Sequence, residues 1–276
     1  MINLIYLCSA LYVEGEPFIK LFNLKKDTEI TKFQVFKNND ISLIITGCGK
    51  IKASIALTYL LTKTQAGVQD ILINIGTCGS KDSHTPIVES FLCNKIADHD
   101  TGFTYYPDII FKHPFKESSL ETFSHVVTIQ DKPQESLVDL EGAGLYEAAS
   151  KFLEPESIFF IKIISDDLNN ENLKSEDLKL LIKNSAPRIY EWINFLKENY
   201  DFNNEILTPK DIALYENLCE NLKFSASMKN DLKNFLVFKK LEKVELSKVL
   251  APYKHIICDS KKEGKKYLEE IKSKFI

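Results

Sequence analysis

Three segments rich in glycine or acidic residues carry groups that could do chemistry. They are residues 46–50 (TGCGK), 74–79 (NIGTCG) and 138–142 (VDLEG), and Asp166 ends a further apolar run at 158–165. Glycines after strands let a small ligand approach the backbone closely, and carboxylates at strand ends can transfer protons. The pattern indicates an enzyme that acts on a small polar molecule.

Composition restricts the class of protein. The 276 residues suffice for one large domain, or for one domain with a small appendage. No apolar run approaches the roughly 20 residues of a membrane span, and the first residues have the pattern of a strand and not of a signal peptide. The six cysteines and five histidines show neither Cys-x-x-Cys nor metal-ligand spacing. We therefore expect a cytoplasmic protein with reduced thiols and with no metal, cofactor or membrane partner.

The elements that must position the candidate residues alternate between strand and helix up to about residue 200, which is typical of an α/β domain. Hydrophobic periodicity predicts strands at 2–8, 33–37, 41–46, 70–75, 157–164 and within 86–98, and helices at 18–24, 50–63, 142–153 and 175–198. In the helix over 50–63, we expect Ile51, Ile55 and Leu57 to pack against the sheet. The helix over 175–198 contains Pro187, where we expect a break.

The pattern changes after residue 200. Residues 201–207 have the composition of a linker, and helices are predicted at about 209–223, 226–240, 245–251 and 261–275, with room for a short strand at 255–258. We predict two domains, an α/β domain over 1–200 and a small, mostly helical C-terminal extension of unknown role over 208–276. The extension is rich in lysine, but the charge asymmetry is modest, and nucleic acid is not expected as a partner.

Five segments, in order along residues 1–198, resemble the purine nucleoside phosphorylase / methylthioadenosine–adenosylhomocysteine nucleosidase superfamily. They are 10–14 (ALYVE), 46–50 (TGCGK), 74–79 (NIGTCG), 138–143 (VDLEGA) and 164–166 (ISD). The resemblance implies a nucleoside phosphorylase-like fold, with a mixed central sheet flanked by helices. It also implies cleavage of the N-glycosidic bond of a nucleoside, and a homo-oligomer, because active sites of this superfamily often borrow residues from a neighbouring subunit.

The resemblance assigns two catalytic residues. Breaking an N-glycosidic bond leaves negative charge on the departing base, and an acid that protonates the base makes it a better leaving group. By resemblance, Asp166 is this acid and protonates N7 of a purine, while Glu14 orients the attacking water as a base. The alternatives are that Asp166 caps the turn that follows it, and that Glu14 is a solvated loop acid like Glu16 two residues away.

The same resemblance assigns the substrate-binding residues. Glu141 binds the ribose hydroxyls, since carboxylates suit paired hydroxyl donors, and Leu140 packs on the sugar where the family has methionine. The remaining candidates are Gly47, Thr77, Cys78, Gly79 and Ser165. As alternatives, Glu141 fits the first turn of a helix, where the dipole favours an acid, and residues 77–79 fit a plain strand-to-helix turn. Lys162 either pairs with an active-site carboxylate or lies in solvent at a strand edge.

Water is favoured over phosphate as the nucleophile. Arginine is the usual phosphate clamp, and this chain has Asn74 where the phosphorylase branch has arginine. The chain's one arginine, Arg188, lies far along the sequence, and Lys50 stands where nucleosidases also carry lysine. We expect hydrolysis of methylthioadenosine or adenosylhomocysteine. Phosphorolysis, with phosphate as a second partner, and nucleoside binding with little catalysis are the alternatives. Residues 128–136 lack the aromatic residue that the family commonly stacks on the base.

Overall fold

The computed structural model describes residues 4–169, 175–199, 207–242 and 244–274. The chain divides into two compact units, Met1–Tyr200 and Asp201–Ile276. Apart from Leu207, the segment 201–207 predicted as a linker lies outside the described residues.

The described part of the first unit is built on a mixed sheet of ten strands. They are β1 (Ile5–Ser9), β2 (Lys25–Lys26), β3 (Gln34–Lys37), β4 (Ile41–Ile45), β5 (Ile71–Ser80), β6 (Ser90–Asp98), β7 (Thr104–Tyr105), β8 (Lys116–Thr122), β9 (Leu137–Asp139) and β10 (Ile158–Asp166). Four strands lie side by side and parallel in the order β4-β1-β5-β10, whereas β6 is antiparallel to β10. The predicted mixed sheet is therefore confirmed.

Strand β5 is the centre of this arrangement. Its first residues pair with β1, nearly its whole length pairs with β10, and its last two residues pair with β9. Because β10 continues through β6 and β8 to β9, these five strands close into a ring, while β1, β4, β3 and β2 extend the sheet on one side. The carboxyl ends of β1, β5 and β10 consequently lie at one edge.

Helices pack on the sheet in two pairs. They are α1 (Tyr12–Leu21), α2 (Lys50–Lys63), α3 (Gly142–Ala149) and α4 (Ser175–Asn199), with α1 against α4 and α2 against α3. Helix α2 buries Ala53, Ala56, Leu57 and Leu60, which recur at the spacing of one helical face. The expectation that Ile51 and Ile55 pack against the sheet is wrong, because both lie on the opposite, exposed face.

Three other predicted elements differ from the structure. The strand predicted at 70–75 continues to Ser80, since pairing with β10 and β9 extends it. Thr77, Cys78 and Gly79 therefore lie within a strand and not in a turn after it. The helix predicted at 18–24 begins at Tyr12, which places Glu14 in its first turn. Helix α4 is continuous through Pro187.

The described part of the second unit packs four helices around its own apolar core. They are α5 (Pro209–Asn221), α6 (Ala226–Leu241), α7 (Leu246–Leu250) and α8 (Lys261–Ser273). The core includes Leu218, Leu222, Leu236 and Ile271. Residues 255–258 form no strand in this described segment. None of the described helices has the length and apolar character that a bilayer span requires.

Candidate active site

A cavity of about 370 Å³ in the first unit collects most of the predicted site residues. Eight of them line it: Glu14, Thr77, Cys78, Gly79, Leu140, Glu141, Ser165 and Asp166. Gly47 does not line it, although the adjacent Cys48 does. The cavity lies where β5 and β10 end and where the chain leaves β1 and β9. The topology of the sheet thus brings together residues that are up to 152 positions apart in the sequence.

Glu14 is buried, and backbone groups hold its carboxylate. Its Oε1 accepts hydrogen bonds from the Thr77 amide at 2.9 Å and from the Thr77 hydroxyl at 3.0 Å, and its Oε2 accepts one from the Leu11 amide at 2.9 Å. A Cβ atom at Gly76 would lie 3.3 Å from Oε1, so glycine allows this close approach. Glu14 is therefore not a solvated loop acid, in contrast to Glu16, which pairs with lysines at the surface.

Glu141 stands at the start of α3, and its Oε1 accepts a hydrogen bond from the Gly49 amide at 2.8 Å. Burial raises the pKa of Glu141 to about 7, and the negative charges of Asp139 and Glu14 add to this effect, against the opposing influence of Lys162 and the Gly49 amide. Glu141 is therefore a carboxyl group whose charge changes near neutral pH.

Beneath Glu141 lies a buried ion pair. The Lys162 ammonium is 2.8 Å from Asp139 Oδ2, and both side chains are at most 1% exposed. Asp139 also accepts hydrogen bonds from the Thr122 hydroxyl at 2.6 Å and from the Gly142 amide at 2.8 Å. Burial alone would lower the pKa of Lys162, but the carboxylates of Asp139 and Glu141 raise it. Of the two interpretations of Lys162, pairing with a carboxylate is confirmed.

Asp166 ends β10 and presents its carboxylate to the cavity. The Ser165 hydroxyl lies 2.8 Å from Asp166 Oδ2 and 3.1 Å from the Cys78 carbonyl. The amide of Leu168 donates to Asp166 Oδ1 at 3.1 Å. This second bond has the geometry of the turn-capping alternative. The structure therefore shows a carboxylate that caps its own turn and faces the cavity as well.

Apart from Cys48 and the ion-paired Asp139, the rest of the cavity wall is aliphatic. It consists of Ala10, Leu11, Val126, Val127, Val138, Leu168 and Leu178. No aromatic side chain is among the described residues that line the cavity, which agrees with the absence of an aromatic residue at 128–136. Val126 and Val127 were not among the residues predicted to form the site. Their one signal in the sequence was an apolar pair between polar neighbours. The pair follows strand β8, and hydrophobic periodicity did not predict that strand.

The cations of the first unit that were considered for phosphate binding have other partners. Lys50 lies 2.5 Å from both Asp98 and Asp100. Arg188 donates to the Pro114 carbonyl and lies over the Phe115 ring. No lysine, arginine or histidine is among the described residues that line the cavity.

Comparisons with known proteins were made in sequence and in structure. No family model matches the chain. It is 23% identical to the 5'-methylthioadenosine/S-adenosylhomocysteine nucleosidase of Marinomonas sp. (strain MWYL1), over 57% of this chain and 82% of that protein.

Three solved structures of similar fold each match 71% of this chain. The 5'-methylthioadenosine/S-adenosylhomocysteine nucleosidase of Helicobacter pylori, bound to butyl-thio-DADMe-Immucillin-A, has a TM-score of 0.60 at 17% identity and is covered to 100%. The futalosine hydrolase of the same species has a TM-score of 0.60 at 17% identity and is covered to 99%. The 5'-methylthioadenosine nucleosidase of Arabidopsis thaliana has 0.59 at 18% and is covered to 96%. The chain thus has the fold of the nucleoside phosphorylase/nucleosidase superfamily, and the resemblance predicted from its five motifs is confirmed.

Proposed function

We propose that this protein is an enzyme that hydrolyses the N-glycosidic bond of a nucleoside, with methylthioadenosine or adenosylhomocysteine as the expected substrates. One observation carries the proposal: Glu14, Glu141 and Asp166 line a single cavity of about 370 Å³, a size that suits a small ligand, together with Asp139, whose carboxylate is paired with Lys162. The similarity to nucleosidases in sequence and fold supports the same reaction.

The three carboxylates can divide the work of the reaction. Asp166 donates a proton to the departing base, so that the base leaves as a neutral molecule and Asp166 becomes a carboxylate. As the bond breaks, positive charge develops on the ribose, and the nearby carboxylates stabilise it. Glu141 binds the ribose hydroxyls through Oε2, which accepts no hydrogen bond from the described residues.

Glu14 is suited to positioning the water. A carboxylate has about four acceptor positions, and in Glu14 three of them are filled by Leu11 and Thr77. The remaining position on Oε2 can accept a hydrogen bond from water, and the three fixed bonds hold that oxygen in place. The water adds to the sugar carbon and transfers a proton to Glu14, which completes hydrolysis.

Phosphorolysis is the second candidate. Free phosphate carries negative charge, and a site for it among these carboxylates would need cations to offset the repulsion. Lys50 and Arg188 are held by other groups, and the described residues that line the cavity include no cation. We therefore favour water as the nucleophile.

The test is release of free base from methylthioadenosine, adenosylhomocysteine, inosine and adenosine, measured with and without phosphate. Release without phosphate is expected. Release only with phosphate would establish the phosphorylase, and measurable binding without release would leave a nucleoside-binding protein. A cytoplasmic location and a homo-oligomeric state, both expected from the sequence, are further parts of the proposal. The exposed apolar side chains of Ile51, Ile55 and Val126 support an oligomer, and sedimentation analysis would measure it.

A further inference from the structure

Leu168, which follows the candidate acid by two residues, has an unusual backbone conformation. Its φ angle is +64°, in the left-handed region, yet the side chain is 3% exposed. Leucine rarely adopts this conformation, because its Cβ atom approaches the following carbonyl oxygen, and such residues persist where the surrounding structure fixes them. Strained residues of this kind concentrate at functional sites, so the contacts of Leu168 are informative.

Its backbone connects two walls of the cavity. The Leu168 amide donates to Asp166 Oδ1 at 3.1 Å, and the Leu168 carbonyl accepts a hydrogen bond from the Ile129 amide at 3.1 Å. Asp166 lies at the end of β10, whereas Ile129 follows the wall residues Val126 and Val127. Both hydrogen bonds depend on the direction of the peptide groups on either side of Leu168, and the left-handed φ angle sets that direction.

The side chain of Leu168 explains why the conformation holds. It is buried in an apolar cluster with Phe123, Val127 and Val138. It also fills the space above Gly79, where a Cβ atom would lie 2.3 Å from a Leu168 methyl carbon and 2.9 Å from Asp166 Oδ1. Gly79 is therefore required for Leu168 and Asp166 to occupy their positions together.

We propose that Leu168 is a positioning residue for the general acid. Burial of its side chain imposes the left-handed turn, and that turn directs the amide to Asp166 Oδ1 while the Ser165 hydroxyl lies against Oδ2. With a hydrogen-bond partner at each oxygen, the carboxyl group of this cavity-lining residue cannot rotate freely. This inference rests on the proposed function, because it concerns the delivery of a proton to a leaving base.

The test compares Leu168→Gly, which removes both the side chain and the constraint on φ, with Leu168→Met, which keeps the volume of the side chain. For a nucleoside, we expect Leu168→Gly to lower kcat about tenfold or more, part of the 10²–10⁴-fold that a positioned acid contributes, with KM nearly unchanged. Leu168→Met should stay within about threefold of the parent, since volume-conserving exchanges are tolerated best. Leu168→Ala is the second variant, should Leu168→Gly fail to fold.

Two readouts separate positioning of the acid from a general loss of structure. The nitrophenolate of a 4-nitrophenyl riboside leaves without protonation. Cleavage of this substrate should therefore be nearly unaffected by Leu168→Gly. In the Asp166→Asn background, Leu168→Gly should cause no additional loss with a nucleoside, because the group that it positions is absent.

The outcomes distinguish the two proposals. A parent protein that releases no base from any nucleoside overturns the proposed function and this inference with it. If the parent is active, either of two results overturns the inference alone. The glycine or alanine variant is as active as the parent, or it loses activity by the same factor in the Asp166→Asn background. Equal losses with the nucleoside and the nitrophenyl riboside would do the same.

Discussion

Two buried carboxyl groups, Asp211 in the second unit and Glu141 in the first, have opposite surroundings. In the second unit, Asp211 Oδ2 accepts hydrogen bonds from the Thr208 amide at 2.9 Å and hydroxyl at 2.7 Å, and it lies 2.6 Å from the Lys240 ammonium. In the first unit, Glu141 Oε1 accepts one bond from Gly49, and the group lines a cavity. Asp211 has the environment of a structural cap, and Glu141 that of a ligand-binding group.

The contrast extends to the charges. Burial raises the pKa of Asp211, but the hydrogen bonds from Lys240 and Thr208 outweigh it, and the net result is a lowered pKa. For Glu141 burial prevails, and the pKa is raised. A buried carboxylate whose charge is balanced by a cation and hydrogen bonds contributes to stability. A buried carboxyl group whose ionised form is destabilised is a candidate for function. The following predictions test this distinction, from the largest expected effect to the smallest.

The largest effect is expected at the candidate acid. Asp166→Asn keeps the size of the side chain but removes the proton donor, so kcat for nucleoside cleavage should fall about 10²–10⁴-fold. Asp167→Asn is the matched control, since Asp167 does not line the cavity and its carboxylate accepts hydrogen bonds from Asn169. The measurement is release of base under saturating substrate. Equal rates for Asp166→Asn and the parent would contradict the proposal.

The second prediction compares buried ion pairs in the two units. Lys162→Met leaves the fully buried Asp139 without its cation, which should lower the free energy of unfolding by about 3–5 kcal/mol. Lys240→Met removes the partner of Asp211 where the lysine is 29% exposed, so about 1 kcal/mol or less is expected. Urea unfolding followed by circular dichroism measures both. Similar losses in the two variants would show that burial of the lysine does not determine how much each pair contributes.

The third prediction concerns pH, and the two carboxyl groups should act with opposite sign. Because the pKa of Glu141 rises from 4.5 to about 7 on folding, the folded state binds more protons between these values, and this group makes the protein less stable as pH rises through that window. Asp211 has a lowered pKa, so its contribution is present above its ordinary value of 3.8 and is lost as pH falls below it.

Unfolding free energies of the parent, Glu141→Gln and Asp211→Asn between pH 3 and 8 would test these signs. Glu141→Gln should remove the decline between about pH 4.5 and 7, and Asp211→Asn should reduce the loss of stability in acid. Nucleoside binding adds a separate observation: if the ionised form of Glu141 binds the ribose hydroxyls, KM should fall as pH rises through about 7. A KM independent of pH would count against that role.

The sequence predicted the carboxylates of the candidate site better than the strands and wall residues that surround them. Glu14, Glu141 and Asp166 were assigned because the short segments that contain them resemble those of a known family, and such segments are recognised without knowledge of the fold. Strand β8 was missed because its residues, KESSLET, are mostly polar and its partners, not its own pattern, determine the pairing. Because β8 was not predicted, nothing in the sequence indicated that Val126 and Val127, which follow it, line the cavity.

Two further features had no signal in the sequence for a physical reason. A leucine gives no indication of a left-handed backbone, so Leu168 becomes visible only when the apolar cluster that holds it is known. The pairing of Lys162 with Asp139 required the strands β9 and β10 to be placed in space, and from the sequence alone burial in a pair and exposure at an edge were both open.

The smallest effect is expected at the helix cap of the second unit. The Thr208 hydroxyl accepts a hydrogen bond from the Asp211 amide at 3.3 Å, and the Asp211 carboxylate accepts one from the Thr208 amide at 2.9 Å. These two bonds form a capping box at the start of α5. Thr208→Ala should lower the free energy of unfolding by about 1 kcal/mol, whereas Thr208→Ser keeps the hydroxyl and should be nearly neutral. Nucleoside cleavage by both variants should equal that of the parent, because Thr208 and Asp211 stabilise the start of a helix and are not among the residues that line the cavity. A loss of cleavage in Thr208→Ala without a loss of stability would show that the second unit contributes to the reaction, and the contrast between the two units would then have to be abandoned.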